Sequence, residues 1–325
     1  MSTFLKYQHS DSLNRVRQGT ALIAEGGGQK GIFTAGVLDS WLELGFNPFS
    51  LMIGSSAGAQ NLSSFLSGQE GFARRSIMQL TCDKQFYNPK RALLGGNTVD
   101  LDWYFHQTSL QDYRLNVEKG AQALSDREFL ITATRMQDIQ PCFRQPDESN
   151  WLSLLKASSA LPFLYRHGVE IEGQHYLDGG LAAPLPVEEA YHRGARRIVI
   201  IRTAPATTQF STPWLHRLND WLEHHNKTVP MVEYLAHHEA VYRRSLHFVE
   251  NPPADLQIVQ ISPKRPLSSR LIGSEIKSLR YDYLSGMAVG RRALLGGELN
   301  FVLNQTAQSY QNWATPSAAP VASAN

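Results

Sequence analysis

The chain has 325 residues, 42% hydrophobic and 18% charged, with a formal net charge of only +2. That length suits one large α/β domain, alone or with an extension, and is ample for a sizeable core. The near balance of 31 basic and 29 acidic residues gives no electrostatic footprint for nucleic acid, and the composition excludes a disordered chain.

Residues 1–18 are polar and mixed, a lead-in with no apolar core of signal-peptide length. No run in the chain approaches the roughly 18 to 20 apolar residues of a spanning helix. Cys82 and Cys142 are too few for a disulfide framework or a metal knuckle. They read as lone buried thiols in a reducing compartment. The expectation is a cytoplasmic protein, free to touch a membrane peripherally.

TALIAE (20–25) is a short apolar run that ends on three glycines, as a buried strand does. KGIFTAGVLDSWLELG (30–45) places Ile32, Ala35, Gly36, Leu38, Trp41, Leu42 and Leu44 on one broad helical face, and Gly45 closes it. FSLMIG (49–54) predicts a second buried strand and AGAQNLSSFLSG (57–68) a second helix. This alternation argues for a parallel sheet with helices on its faces. FARRSIMQLTC and DLDWYFHQ have helical patterns, with NPKRALLGGN between them as a loop.

EFLITATRM (128–136) predicts a third core strand, and NWLSLLKASSALPF (150–163) a helix running into a proline stop. VEIEGQHYLDGG (169–180) reads as a hairpin ending on paired glycines. VEEAYHRGA (187–195) is a helix and RRIVIIRT (196–203) the strongest strand of the chain. The composition shifts near residue 205. Two helices, STPWLHRLNDWLEHHNK (211–227) and PMVEYLAHHEAVYRRSLHFVE, precede a strand, LQIVQISP (256–263), and a final helix, GSEIKSLRYDYLSGMAVGRRALL (273–295). The result is a lead-in (1–18), an α/β domain (19–205), an α-rich C-terminal extension (206–310) and a Pro/Ala-rich tail (311–325) with a disordered composition.

Three motifs carry chemistry. GSSAG at 54–58 is a G-x-S-x-G set between a strand and a helix. In that setting Ser56 stands on a nucleophile elbow, with Gly54 and Gly58 allowing a backbone too tight for a Cβ. A plain Gly-Ser turn fits the pentapeptide as well; the flanking elements favour the nucleophile. EGGGQKG at 25–31 contains G-x-G-x-x-G as Gly26, Gly28 and Gly31. A dinucleotide site would need an acid at the end of the second strand, and a P-loop would need Gly-Lys-Ser/Thr. Neither is there. What remains is a row of backbone N–H groups at a helix start, a cradle for an anion. Beside a serine nucleophile, that anion is the oxyanion of an acyl-transfer intermediate. YLDGG (176–180) is ordinarily a turn, but a serine nucleophile needs a base, and Asp178 is a candidate.

An ordinary Ser-His-Asp triad is a rival. In the α/β-hydrolase order the histidine comes last, leaving His192, His216, His224, His225, His237, His238 and His247. None lies in a distinctive motif, and the paired ones lack the spacing of a zinc protease. Farther on, Trp214, Leu218, Trp221 and Leu222 share a helical face suited to packing more than to a lipid surface. Lys264, Arg265 and Arg270 make a small basic loop, read as solvated.

The G-G-G-x-K-G loop, the G-x-S-x-G elbow and the downstream D-G-G, in that order over roughly 20–205, resemble the patatin-like phospholipase family. ASSALPFLY (157–165) resembles the segment that family carries before its Asp-Gly-Gly. The resemblance implies a three-layer α/β/α sandwich with a mostly parallel central sheet, residues 19–205 being the catalytic domain. It implies a dyad of Ser56 as nucleophile and Asp178 as general base, and an oxyanion hole at Gly26, Gly27 and Gly28. Lys30, Gly31, Gly54, Gly58, Gly179 and Gly180 support the motifs. The implied substrate is a lipid carboxylic ester, met at a membrane surface, with no metal or organic cofactor. One departure stands out: DGGLAAPLPV has Ala183 and Pro184 where the family often has asparagine before a proline. A nucleotide- or phosphate-binding module built on the same glycine loop is the reading from a different class.

Overall fold

Five consecutive buried residues, Thr20–Ala24, form β1, and the sheet is laid out on either side of them. The computed structural model describes residues 19–208 and 230–303. The other strands are β2 (Leu51–Ser55), β3 (Glu128–Arg135), β4 (Pro141–Arg144), β5 (Val169–Ile171), β6 (Gln174–Asp178), β7 (Arg197–Ile201) and β8 (Gln257–Ile261). Their order is β5-β6-β3-β2-β1-β7-β8, with β4 also paired to β3. The contacts β1/β2, β1/β7, β2/β3 and β7/β8 are parallel; β4 and β6 run antiparallel to β3, and β5 and β6 form a hairpin.

The sheet is covered on both faces, as a largely parallel sheet must be. Alternate residues point to opposite sides. Leu22, Met52, Phe129, Ile131 and Val199 pack on α1 (Gly31–Glu43), α2 (Ala57–Leu66) and α3 (Trp151–Ser158) through Phe33, Trp41, Phe65 and Trp151. Ile23, Ile53, Leu130, Ile198 and Ile200 pack on α4 (Val187–His192) and α5 (Pro230–Glu250) through Val187, Ala190, Tyr242 and Leu246. The segment after residue 205 thus supplies a strand, β8, and a covering helix, α5, to the same three layers.

One-face burial was expected for the first helix, yet every residue of α1 from Gly31 to Trp41 is buried, including Thr34, Asp39 and Ser40. The reason is α6 (Ile276–Leu295), which lies against its outer side. The two backbones nearly touch: a Cβ on Gly286 would sit 2.2 Å from Phe33 O, and one on Gly36 2.2 Å from Tyr283 O. Tyr283 donates to Asp39 Oδ2 at 2.9 Å and the Trp41 indole N–H to Gly290 O at 3.0 Å.

Other differences are local. NPKRALLGGN contains a 3-10 helix, Pro89–Leu94, started by the Asn88 side chain and a proline at its first turn. FARRSIMQLTC is α-helical only to Arg75 and then widens to a π-turn, Ser76–Leu80. α3 stops at Ser158, ahead of the proline. Neither cysteine is the buried thiol expected: Cys82 is exposed, at the start of the exposed stretch 82–85 that follows the π-turn, and Cys142 is half-buried on the short strand β4. The lead-in, the tail, and the 211–227 helix with Trp214, Leu218, Trp221, Leu222, His216, His224 and His225 lie outside the described residues.

Candidate active site

β2 ends at Ser55 and α2 begins at Ala57, so Ser56 alone makes the turn. Its backbone, at φ 52 and ψ −124, is a conformation side chains rarely adopt. Its glycine neighbours have no room for anything larger. A Cβ on Gly54 would lie 2.6 Å from Ala59 Cα, and one on Gly58 2.2 Å from Ala24 O. The Ser56 N–H donates to Ser158 Oγ at 2.8 Å. Gly31 opens α1 directly over α2, its Cβ position 2.9 Å from that of Ala57.

Asp178 ends β6 opposite Ala133, while Ser55 stands opposite Thr132 on the other side of β3. A single strand therefore separates serine elbow from carboxyl. The turn Gly179–Leu181 crosses that strand: a Cβ on Gly179 would lie 2.1 Å from Thr132 Oγ1, so only glycine fits. A relay of hydroxyls fixes the crossing. Thr132 Oγ1 donates to Ser55 Oγ at 2.8 Å, and Ser55 Oγ donates to Ala183 O at 2.6 Å. Thr134 Oγ1 donates to Asp178 O at 2.8 Å and accepts from Ala182 N at 3.2 Å. The Ala183–Pro184 departure thus falls on a turn held by Ser55 and Thr134. The Asp178 N–H donates to Ala160 O at 2.9 Å. ASSALP now has a physical meaning: Ser158 holds the serine turn and Ala160 holds the aspartate.

The Asp178 carboxyl is buried, and burial pushes its pKa up to about 6, against the lowering effect of the Ser56 hydroxyl and the Gly180 amide. Oδ1 accepts the Gly180 N–H at 2.8 Å, while Oδ2 is shut from solvent with no hydrogen bond of full geometry. Ser56 is near enough to favour the charged carboxyl, yet the contact is loose.

Gly26, Gly27 and Gly28 lie beside Ser56. Gly27 has φ 138 and Gly28 φ 56, and a Cβ on Gly26 would be 3.2 Å from Ser56 Cβ. Among the described residues the N–H groups of these three glycines have no acceptor, whereas Gln29 N donates to Leu271 O at 3.0 Å and Lys30 N to Gly27 O at 3.1 Å.

Two polar residues that flank the glycines escaped the sequence reading. Glu25 is buried, accepting the Thr203 N–H and the Tyr242 hydroxyl, both at 2.5 Å, while Thr203 Oγ1 donates to Gly26 O at 2.9 Å. On the other side Gln29 is buried; its amide donates to Thr81 Oγ1 at 2.9 Å and accepts the Ser274 N–H at 2.7 Å. The signal was present in E-GGG-Q: polar residues wedged between an apolar strand and an apolar helix.

Two cavities meet here, sharing Gly28, Ser56, Leu161 and Leu271. One is mainly apolar, about 750 Å³ with its mouth, and is lined by side chains such as Phe72, Ile77, Phe86, Val99 and Leu164. The other, apolar along Phe163, Leu181 and Leu235, brings together Gly26, Gly27, Lys30, Asp178, Gly180 and His238. His238, on α5, lies with Nδ1 2.7 Å from Gly180 O. Burial lowers its pKa, and a carbonyl only accepts, so the neutral ring donates through Nδ1. His192, His237 and His247 line neither cavity. Among the described residues no three His, Cys, Asp or Glu side chains are grouped to hold a metal ion.

A family model described as patatin-like phospholipase matches residues 22–191, and one for a domain of unknown function, DUF6363, matches 229–295. The chain is 44% identical over 272 residues to the uncharacterized protein YjjU of Escherichia coli (strain K12), spanning 83% of this chain and 76% of that protein. The crystal structure of VipD from Legionella pneumophila is similar in fold, with a TM-score of 0.50 at 13% identity, over 86% of this chain and 67% of that one. The glycine loop, the serine elbow and the Asp-Gly-Gly turn all fall inside the matched residues 22–191, and the chain belongs to the patatin-like phospholipase family.

Proposed function

We propose that this member of a lipid acyl hydrolase family cleaves carboxylic esters of lipids, as a phospholipase A or lysophospholipase does, through Ser56 and Asp178. The observation that carries the reading is the convergence on one point of a strained serine, a buried carboxyl at about 6 and three glycine N–H groups without acceptors. Asp178 takes the hydroxyl proton as Ser56 Oγ attacks the ester carbonyl. A carboxyl near 6 is a stronger base than one at 3.8 and is still ionised at neutral pH. The oxyanion turns toward Gly26, Gly27 and Gly28, where fixed N–H donors are commonly worth about 3 kcal/mol each. Asp178 returns the proton to the leaving alcohol; it then takes a proton from the water that attacks the acyl-enzyme and gives it to Ser56 Oγ as the acid leaves.

Both cavities are mainly apolar and open on Ser56, so together they offer room for the acyl chain and the leaving alcohol on either side of it. No helix among the described residues is long and apolar enough to cross a membrane. The test is direct. Purified protein should hydrolyse a short p-nitrophenyl ester and be labelled by a fluorophosphonate, and Ser56→Ala should lose both while keeping its circular dichroism. Retention of either in Ser56→Ala refutes the assignment.

A further inference from the structure

Leu93 and Leu94 are 86% and 91% exposed, more than any other large apolar side chain among the described residues. They end the 3-10 helix Pro89–Leu94, at the tip of a loop whose feet, Phe86 and Val99, line the apolar cavity. The loop is braced. Tyr87 pairs with Val99, Asn88 N donates to Thr98 O at 2.9 Å and Asp100 N to Phe86 O at 2.8 Å. The Arg91 guanidinium donates to Gln85 O and Phe86 O at 2.9 Å and pairs with Asp100 at 3.2 Å. Two leucines are therefore presented to water by a tied structure, with nothing of this chain's described residues to cover them.

The surroundings are cationic. Lys90 is exposed on the loop itself, Lys84 two residues before its first foot, and Arg166 and Arg270 on segments beside it. Arg166 N donates to Asn97 Oδ1 at 3.0 Å, and the Gly273 Cβ position is 3.7 Å from the Tyr87 ring. None of these four cations makes an ion pair with a described residue. Three acids lie near: Asp100 holds Arg91, Glu275 pairs with Lys277 and faces Arg270, and Asp83, next to Lys84, caps the Gln85 N–H.

We propose that this loop docks the protein on an anionic lipid bilayer. Leu93 and Leu94 enter the acyl region, and Lys84, Lys90, Arg166 and Arg270 meet the headgroups. A few apolar side chains backed by a basic patch are what reversible interfacial attachment requires. Docking so ties the membrane contact, through the braced feet Phe86 and Val99, to the lining of the apolar cavity. The partner's identity as lipid agrees with the hydrolase reading and rests on it; the docking itself is a property of the surface and is measured apart from chemistry.

The experiment is co-sedimentation of the full chain, carrying Ser56→Ala to prevent turnover, with vesicles of phosphatidylcholine alone or mixed with phosphatidylglycerol. Binding to the mixed vesicles should exceed binding to the neutral ones and weaken with salt. Adding Leu93→Ser and Leu94→Ser should lower binding to mixed vesicles at least about tenfold, with an unchanged melting temperature because both positions are exposed. Lys84→Glu with Lys90→Glu should abolish the preference for phosphatidylglycerol. Equal binding by the parent and the leucine variant overturns the proposal, as does no vesicle binding by the parent. A dimer that the leucine changes convert to monomer, without vesicle binding, assigns the surface to a second copy instead and also overturns it. Failure of the hydrolase reading shows separately, as absence of soluble-ester hydrolysis by the wild type.

Discussion

The N–H of Gly180 donates to Asp178 Oδ1 at 2.8 Å, and the second oxygen of that carboxylate is buried without a settled partner. One backbone amide thus fixes the carboxyl while leaving it under-solvated. Such a group is poised to accept a proton.

Asp178→Asn preserves the shape of the side chain but cannot take the hydroxyl proton. It should lower kcat/KM on a p-nitrophenyl ester by about a thousandfold or more, as should Ser56→Ala. Steady-state kinetics on protein with intact circular dichroism decides it. Activity within tenfold of wild type in Asp178→Asn removes the carboxylate from the mechanism.

The pH dependence has two opposite signs. With Asp178 as the proposed base, activity needs its ionised form, so kcat/KM should rise with pH through about 6 and then level off. Stability runs the other way. The folded-state pKa of about 6 lies above the ordinary 3.8, so between those values the folded chain binds more protons than the unfolded one. This group's contribution to stability is therefore lost as pH rises through that window, by up to about 3 kcal/mol. Asp178→Asn should melt higher than wild type at pH 7.5, with the gain vanishing near pH 4. A lower melting temperature at both values contradicts the burial argument.

His238 is the histidine to examine, because it lines the cavity with Ser56 and Asp178. Its bond to Gly180 O braces the Asp-Gly-Gly turn. His238→Ala should cost about tenfold or less in kcat, far below Asp178→Asn. Equal losses would establish a triad in place of the dyad.

Gly28→Ala puts a methyl 2.2 Å from Leu271 O at a backbone φ of +56. Gly27→Ala meets Thr203 Oγ1 at 2.9 Å and forces a side chain onto a backbone φ of +138. Both should reduce kcat, by about a hundredfold for Gly28→Ala, with little change in KM, since oxyanion donors act on the transition state. A thermal-shift scan with ATP and NAD belongs beside the assay. A nucleotide-dependent rise in melting temperature without esterase activity would move the loop to the binding-module reading.

Gln29→Leu deprives Thr81 and the Ser274 N–H of buried partners. Calorimetry should register a loss of about 2–3 kcal/mol, and kcat should fall with it as the glycine loop loosens. An unchanged melting temperature with unchanged kcat means that the loop is held from elsewhere.

The sequence carried the parallel strands because β1, β2 and β7 are dense apolar runs, the first two with glycine stops, and it carried Ser56 and Asp178 because their turns demand glycine. Strand β4, PCFR, was invisible: four residues have no period to read. The all-round burial of α1 was hidden because its outer cover, α6, lies far down the chain. Glu25 and Gln29 were passed over because a polar residue beside a glycine turn usually faces water. Their burial depends on Tyr242, Thr203, Thr81 and Ser274, partners that only tertiary structure brings near.

The bond from Trp41 to Gly290 joins residues 249 apart in the chain, and it says something about birth rather than function. At ribosomal speeds of roughly 5–20 residues per second, α1 waits on the order of 10–50 s for the helix that covers it. Through that interval Ile32 and Ala35 have no permanent cover, and the glycine crossing that later excludes water is only half built. Such late closure is slow to search and prone to aggregation. A nascent chain of this design is a natural client for a chaperone until its last helix leaves the ribosome.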